Sequence, residues 1–102
     1  MNQPINIIGF SQGSLISRGV VEACPDIKVR KLITYGGPHG GVSSIYACRE
    51  STICWIVNFL AKQLVYLDIV QYAVAPAEYF RVFTNLPDYL AHSFFLPYLN
   101  NE

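Results

Sequence analysis

The chain has 102 residues, of which 52% are apolar and only 14% charged, and seven basic side chains balance seven acidic ones. That composition is too apolar for a disordered chain and rich enough for a packed core. Zero formal charge and the lack of a basic stripe argue against nucleic acid as a partner, and the high apolar share of so short a chain favours a piece of a larger core over a small self-contained domain.

Met1-Asn2-Gln3-Pro4 runs directly into an apolar segment, with no basic start, so no secretory leader is expected. Ile5-Asn6-Ile7-Ile8 reads as a buried parallel strand. Gly9 to Gly13 follows as a tight turn. From Ser14 onward Leu15, Ile16 and Val20 recur at helical spacing, and Pro25 ends that helix. Lys31 to Tyr35 is a second strand rich in β-formers. Strand, helix and strand make one βαβ unit with an expected right-handed crossover. The loop Gly36-Gly37-Pro38-His39-Gly40-Gly41 leaves the end of the second strand, where open α/β sheets bind ligands.

Beyond residue 42 the pattern turns helical. Ile53, Ile56, Val57, Leu60, Leu64 and Leu67 follow gaps of three and four and predict a core helix with one apolar face. A further helical stretch is expected through Val70–Val74. Asn58, Lys62, Gln63, Asp68 and Gln71 interrupt this apolar region, which excludes a membrane span of about 20 residues. Tyr79, Phe80, Phe83, Tyr89, Phe94, Phe95 and Tyr98 make an aromatic-rich tail. The three cysteines, Cys24, Cys48 and Cys54, are an odd number, so at least one lacks a partner within the chain or all are free. Cys48 and Cys54 are close enough for a small loop disulfide. No cysteine or histidine spacing suggests a metal site, and no cofactor is expected.

Gly9-Phe10-Ser11-Gln12-Gly13 matches G-x-S-x-G. The match gains weight from the strand before it and the amphipathic helix after it, which together form the elbow that presents a nucleophilic serine. Ser11 at the apex is expected to be backbone-strained, and side chains at Gly9 or Gly13 are expected to crowd the crossing of strand and helix. The N–H of Gln12 is then placed as one oxyanion donor at a helix N-terminus. The alternative is an ordinary βα turn in which Ser11 caps the helix. A hydroxyl nucleophile needs a base. His92 follows Asp68 and Asp88 in the order serine, acid, histidine, but these aspartates fall in a helix and a proline-flanked segment, so His92 reads better as a surface histidine.

The elbow with Ser14-Leu15, then Arg18-Gly19, Cys24-Pro25, Leu32-Ile33, Gly36-Gly37-Pro38-His39, Gly41-Val42, Cys48, Ile53-Cys54, Ala77-Glu78-Tyr79 and the closing Phe95-Leu96-Pro97 and Leu99 to Glu102 closely resemble the palmitoyl-protein thioesterase family over essentially the whole chain. The resemblance implies an α/β fold that is a partial α/β-hydrolase. Residues 1–42 would be its strand–elbow–helix–strand core, and residues 43–102 a helical insertion or cap. It implies hydrolysis of fatty-acyl thioesters on protein cysteines, with S-acylated proteins as partners and a lysosomal or vacuolar location. Ser11 matches the family nucleophile and Gln12 its oxyanion-hole residue. Cys48 and Cys54 match a local disulfide, and Cys24 matches a cysteine paired upstream of the elbow. The family's acid and base lie downstream of the stretch that resembles this one, so a central fragment is expected. Two other readings compete with this one: a lipase or carboxylester hydrolase with the same elbow, and a non-catalytic remnant that binds lipid or a partner chain.

Overall fold

A computed structural model describes residues 3–44 and 51–102. The chain is mixed α/β and divides into two compact units, one up to His39 and one from Gly40 onward.

In the first unit, strand β1 (Ile5–Phe10) leads through Ser11 into helix α1 (Gln12–Ala23), and strand β2 (Val29–Tyr35) returns beside β1. The two strands pair in parallel from Asn6 against Lys31 to Phe10 against Tyr35, with a register irregularity between Ile5 and Asn6. β-Branched and aromatic side chains favour these extended segments. Helix α1 ends where Cys24 N–H bonds the Val20 carbonyl, just ahead of Pro25, which cannot continue a helix.

Parallel pairing agrees with the sequence reading, but the burial does not. Ile8 is 56% exposed and Phe10 67%, and Ile33 and Tyr35 are exposed beside them. Side chains alternate across a strand, so the α1-side residues Ile7, Gly9, Leu32 and Thr34 are more covered than these. The opposite face carries its apolar side chains in the open among the described residues. Phe10 and Tyr35 stack there, with centroids 5.3 Å apart.

The second unit holds α2 (Thr52–Leu64), α3 (Asp68–Ala73), a 3-10 turn (Ala75–Tyr79), α4 (Leu86–His92) and α5 (Leu96–Asn100). Ser51 opens α2 by accepting the Cys54 N–H at 3.3 Å. Pro87 and Pro97 sit in the first turns of α4 and α5, where a missing N–H costs nothing. Asn101 adopts a left-handed conformation (φ 56°) that lets Glu102 N–H reach the Pro97 carbonyl at 3.0 Å.

The expected core helix forms, but α2 buries none of its own residues among those described. The core is instead built from Val65 and Tyr66 just after α2, with Ala77, Phe80, Val82, Tyr89, Leu96 and Leu99. The aromatic tail splits accordingly: Phe80 and Tyr89 are buried, whereas Phe83, Phe94 and Tyr98 are exposed. Polar groups tie this core together. Gln71, fully buried, donates to the carbonyls of Val65 (2.7 Å) and Ala77 (2.9 Å). Tyr66 OH accepts from Val82 N–H at 2.8 Å. Tyr89 OH donates to Glu102 at 2.6 Å, and the other carboxylate oxygen of Glu102 pairs with Arg81 at 3.0 Å.

Candidate active site

Ser11 stands at the junction of β1 and α1 with φ 49° and ψ −124°. Residues with a Cβ seldom adopt a positive φ, and holding one there costs about 1–3 kcal/mol. The surrounding bonds fix it. Ser11 N–H donates to the Tyr35 carbonyl at 2.8 Å, and Ser11 C=O accepts the Ser14 N–H at 3.0 Å. The residue is exposed, and its hydroxyl makes no capping bond to α1 among the described residues. The sequence left open whether Ser11 was an ordinary helix cap, and the geometry speaks against that role. Gln12, the first residue of α1, carries one of the N–H groups that lack an intrahelical acceptor.

The two elbow glycines differ. A Cβ on Gly9 would lie 2.7 Å from the Gly13 carbonyl oxygen, 2.7 Å from Ser14 Cα and 2.8 Å from Ser17 Oγ. Helix α1 therefore crosses β1 so closely that only glycine fits. Among the described residues, a Cβ on Gly13 would meet nothing within 4 Å beyond the nearby backbone of its own helix, which corrects the expectation that both glycines relieve the same crowding. The crowding at Gly9 comes from the Gly13 carbonyl, the Ser14 backbone and the Ser17 hydroxyl, all on α1.

The loop after β2 reaches back to the elbow. Gly37 comes so near α1 that a Cβ there would lie 2.5 Å from Ser14 Cβ and 2.7 Å from His39 Nε2. His39, half-buried, is 3.2 Å from Thr34 Oγ1 through Nε2. Sequence reasoning placed this loop at the ligand-binding end of the sheet but missed Ser14 and Gly37 as neighbours. The available signal was a serine near the start of the helix, five residues after a glycine within β1.

Other candidates fall elsewhere. Cys24, half-buried at the end of α1, forms no disulfide among the described residues. Cys48 lies outside the described residues, and with it the expected Cys48–Cys54 bridge. In the second unit, His92 ends α4, and Asp88 in the first turn of that helix accepts from Asn85 at 2.6 Å. Both line a cavity of about 220 Å³ with Lys62, Gln63, Tyr66, Leu67 and Asn85, a lining more polar than an acyl chain requires. The apolar side chains of α2, Ile53, Trp55 and Phe59 among them, are exposed. Among the described residues no helix is long and apolar enough to cross a membrane.

The sequence model of the palmitoyl protein thioesterase family matches residues 1–102. The chain is 36% identical over 98 residues to palmitoyl-protein thioesterase 1 of Caenorhabditis elegans, covering 95% of this chain and 33% of that protein. It is 35% identical over 97 residues to the palmitoyl-protein thioesterase-dolichyl pyrophosphate phosphatase fusion 1 of Schizosaccharomyces pombe, covering 93% of this chain and 16% of the relative. It is 32% identical over 98 residues to the lysosomal thioesterase PPT2-B of Xenopus laevis, covering 96% of this chain and 34% of the relative. The chain thus spans about a third or less of the length of these relatives.

Proposed function

The chain belongs to the palmitoyl protein thioesterase family, and on that footing we propose that it carries the nucleophile of a serine thioesterase that removes fatty-acyl chains from protein cysteines. The observation that carries this reading is the conformation of Ser11, held at φ 49° between strand and helix with its hydroxyl not engaged as a cap. In an α/β-hydrolase fold, of which residues 1–42 are read as part of the core, such a bend presents the serine to substrate.

Ser11 Oγ attacks the thioester carbonyl while its proton passes to a histidine. The carbonyl oxygen becomes an oxyanion held by N–H groups, that of Gln12 among them. Collapse of the tetrahedral intermediate breaks the C–S bond, and the departing cysteine sulfur takes up the proton. Water then attacks the acyl-serine with the same histidine as base, releasing fatty acid and restoring Ser11. The family resemblance assigns the histidine and its acid to segments outside the matched stretch. The Cys48–Cys54 bridge and the pairing of Cys24 with an upstream cysteine belong to the same reading. The name of the Xenopus relative supports a lysosomal location.

The test is turnover by the protein made from its complete coding sequence. S-palmitoyl thioester should be hydrolysed faster than the matched oxyester, and Ser11→Ala should lower turnover by on the order of a million-fold. Preference for the oxyester would favour a lipase or carboxylester hydrolase, and full activity in Ser11→Ala would remove the serine mechanism.

A further inference from the structure

Ser14 is fully buried one turn into α1, and the bonds that shape the elbow converge on it. Its hydroxyl donates to the Gly9 carbonyl at 3.0 Å and lies 3.4 Å from the Tyr35 carbonyl. Gly9 is two residues before Ser11, and the Tyr35 carbonyl is the group that holds Ser11 N–H at 2.8 Å. The N–H of Ser14 bonds the Ser11 carbonyl itself at 3.0 Å. One residue therefore grips the chain before the nucleophile, the nucleophile's own carbonyl, and the strand end that anchors its N–H. Gly37 closes against the same side chain so tightly that no Cβ could stand there.

We infer that Ser14 is a positioning residue for Ser11, an inference that rests on reading Ser11 as the nucleophile. A non-glycine residue at positive φ relaxes unless its surroundings over-determine it. Here the buried hydroxyl of Ser14 supplies the tie between the end of β1 and the start of α1. Because a buried donor without a partner is costly, that hydroxyl has few other places to go. Its loss frees the elbow to relax toward an ordinary βα turn. The sheet can remain intact when this happens, because the β1–β2 ladder does not use the hydroxyl.

The experiment compares wild type, Ser14→Ala, Ser14→Cys and Ser11→Ala in the complete protein, with active sites counted by a fluorophosphonate probe. Ser14→Ala should lower kcat per titrated site by on the order of tenfold, the rate expected for a loss of about one hydrogen bond, with KM unchanged. Ser14→Cys, which keeps the volume and a weak donor, should fall between wild type and alanine, and it serves as the test if the alanine variant does not fold. By NMR, amide hydrogen exchange at Ser11 should quicken in Ser14→Ala while the ladder amides of β1 and β2 keep their protection. A kcat within twofold of wild type with unchanged Ser11 exchange would overturn the inference, as would exchange that quickens equally along the whole ladder. Turnover retained in Ser11→Ala would overturn the nucleophile reading instead, and a separate variant reports it.

Discussion

Replacing Gly9 with alanine should damage the elbow far more than replacing Gly13, although both glycines belong to the same motif. The new methyl on residue 9 would sit 2.7 Å from the Gly13 oxygen and 2.7 Å from Ser14 Cα. Ordinary contacts begin near 3.4 Å, so the shortfall is about 0.7 Å against two backbone atoms that no rotamer change can move. Overpacking of a close-packed contact costs roughly 1–3 kcal/mol, and rigid backbone neighbours put this case at the upper end, about 2–3 kcal/mol. Helix α1 must lift from β1 to relieve it, which stretches the bond from Ser14 Oγ to Gly9 and displaces Ser11. Gly13→Ala meets open space among the described residues within a helix, where alanine is favoured over glycine by about 0.5–1 kcal/mol. The two variants should therefore differ by about 3 kcal/mol in opposite directions. Urea denaturation reads the difference, and the rate of fluorophosphonate labelling at Ser11 should drop only in Gly9→Ala. Equal stabilities, or a Gly13→Ala variant as impaired as Gly9→Ala, would refute the close crossing of α1 over β1.

Three further outcomes follow from the same geometry. Residues 1–102 expressed alone should hydrolyse S-palmitoyl thioester no faster than the buffer blank, because loss of a triad partner costs on the order of a million-fold; robust Ser11-dependent turnover would contradict the assignment of acid and base to other segments. Gln71→Ala should destabilise the second unit by about 3 kcal/mol or more, since it leaves the Val65 and Ala77 carbonyls without their donor and opens a cavity; a loss under about 1 kcal/mol in denaturant titration would show that water replaces the amide at little cost. Burial, then the hydrogen bond to Glu102 and that carboxylate's charge, push the Tyr89 phenol well above its ordinary value, and burial also raises Tyr66. Below about pH 10 these phenols are protonated in both folded and unfolded chains, so stability is unaffected. As pH rises past about 10 the unfolded chain ionises first and stability falls. Melting temperature should drop across that range in wild type and less steeply in Tyr89→Phe; identical slopes would show that Tyr89 does not carry the effect.

The strand, elbow, helix and second strand were legible because their signals are local. An apolar run, a glycine-flanked serine and a helical repeat lie within 35 consecutive residues. The positive φ of Ser11 was legible for the same reason, since the expectation came from the same five-residue pattern. The asymmetry of Gly9 and Gly13 was not legible, because it depends on which face of α1 meets β1. The repeat in α2 reported an apolar surface without saying what that surface touches. Among the described residues the burial belongs instead to Val65 and Tyr66, just past the helix. Gln71 escaped notice because a glutamine inside an apolar stretch reads as an interruption. Only the fold reveals the Val65 and Ala77 carbonyls that it serves.

Trapping the acyl-enzyme tests the nucleophile assignment most directly. The complete protein is mixed with an S-palmitoyl thioester, quenched in acid, digested and read by mass spectrometry. The account predicts one palmitoyl ester, on the peptide containing Ser11 and absent from Ser11→Ala. A palmitoyl group on Cys24 or any other residue, with Ser11 unmodified while turnover proceeds, would contradict it.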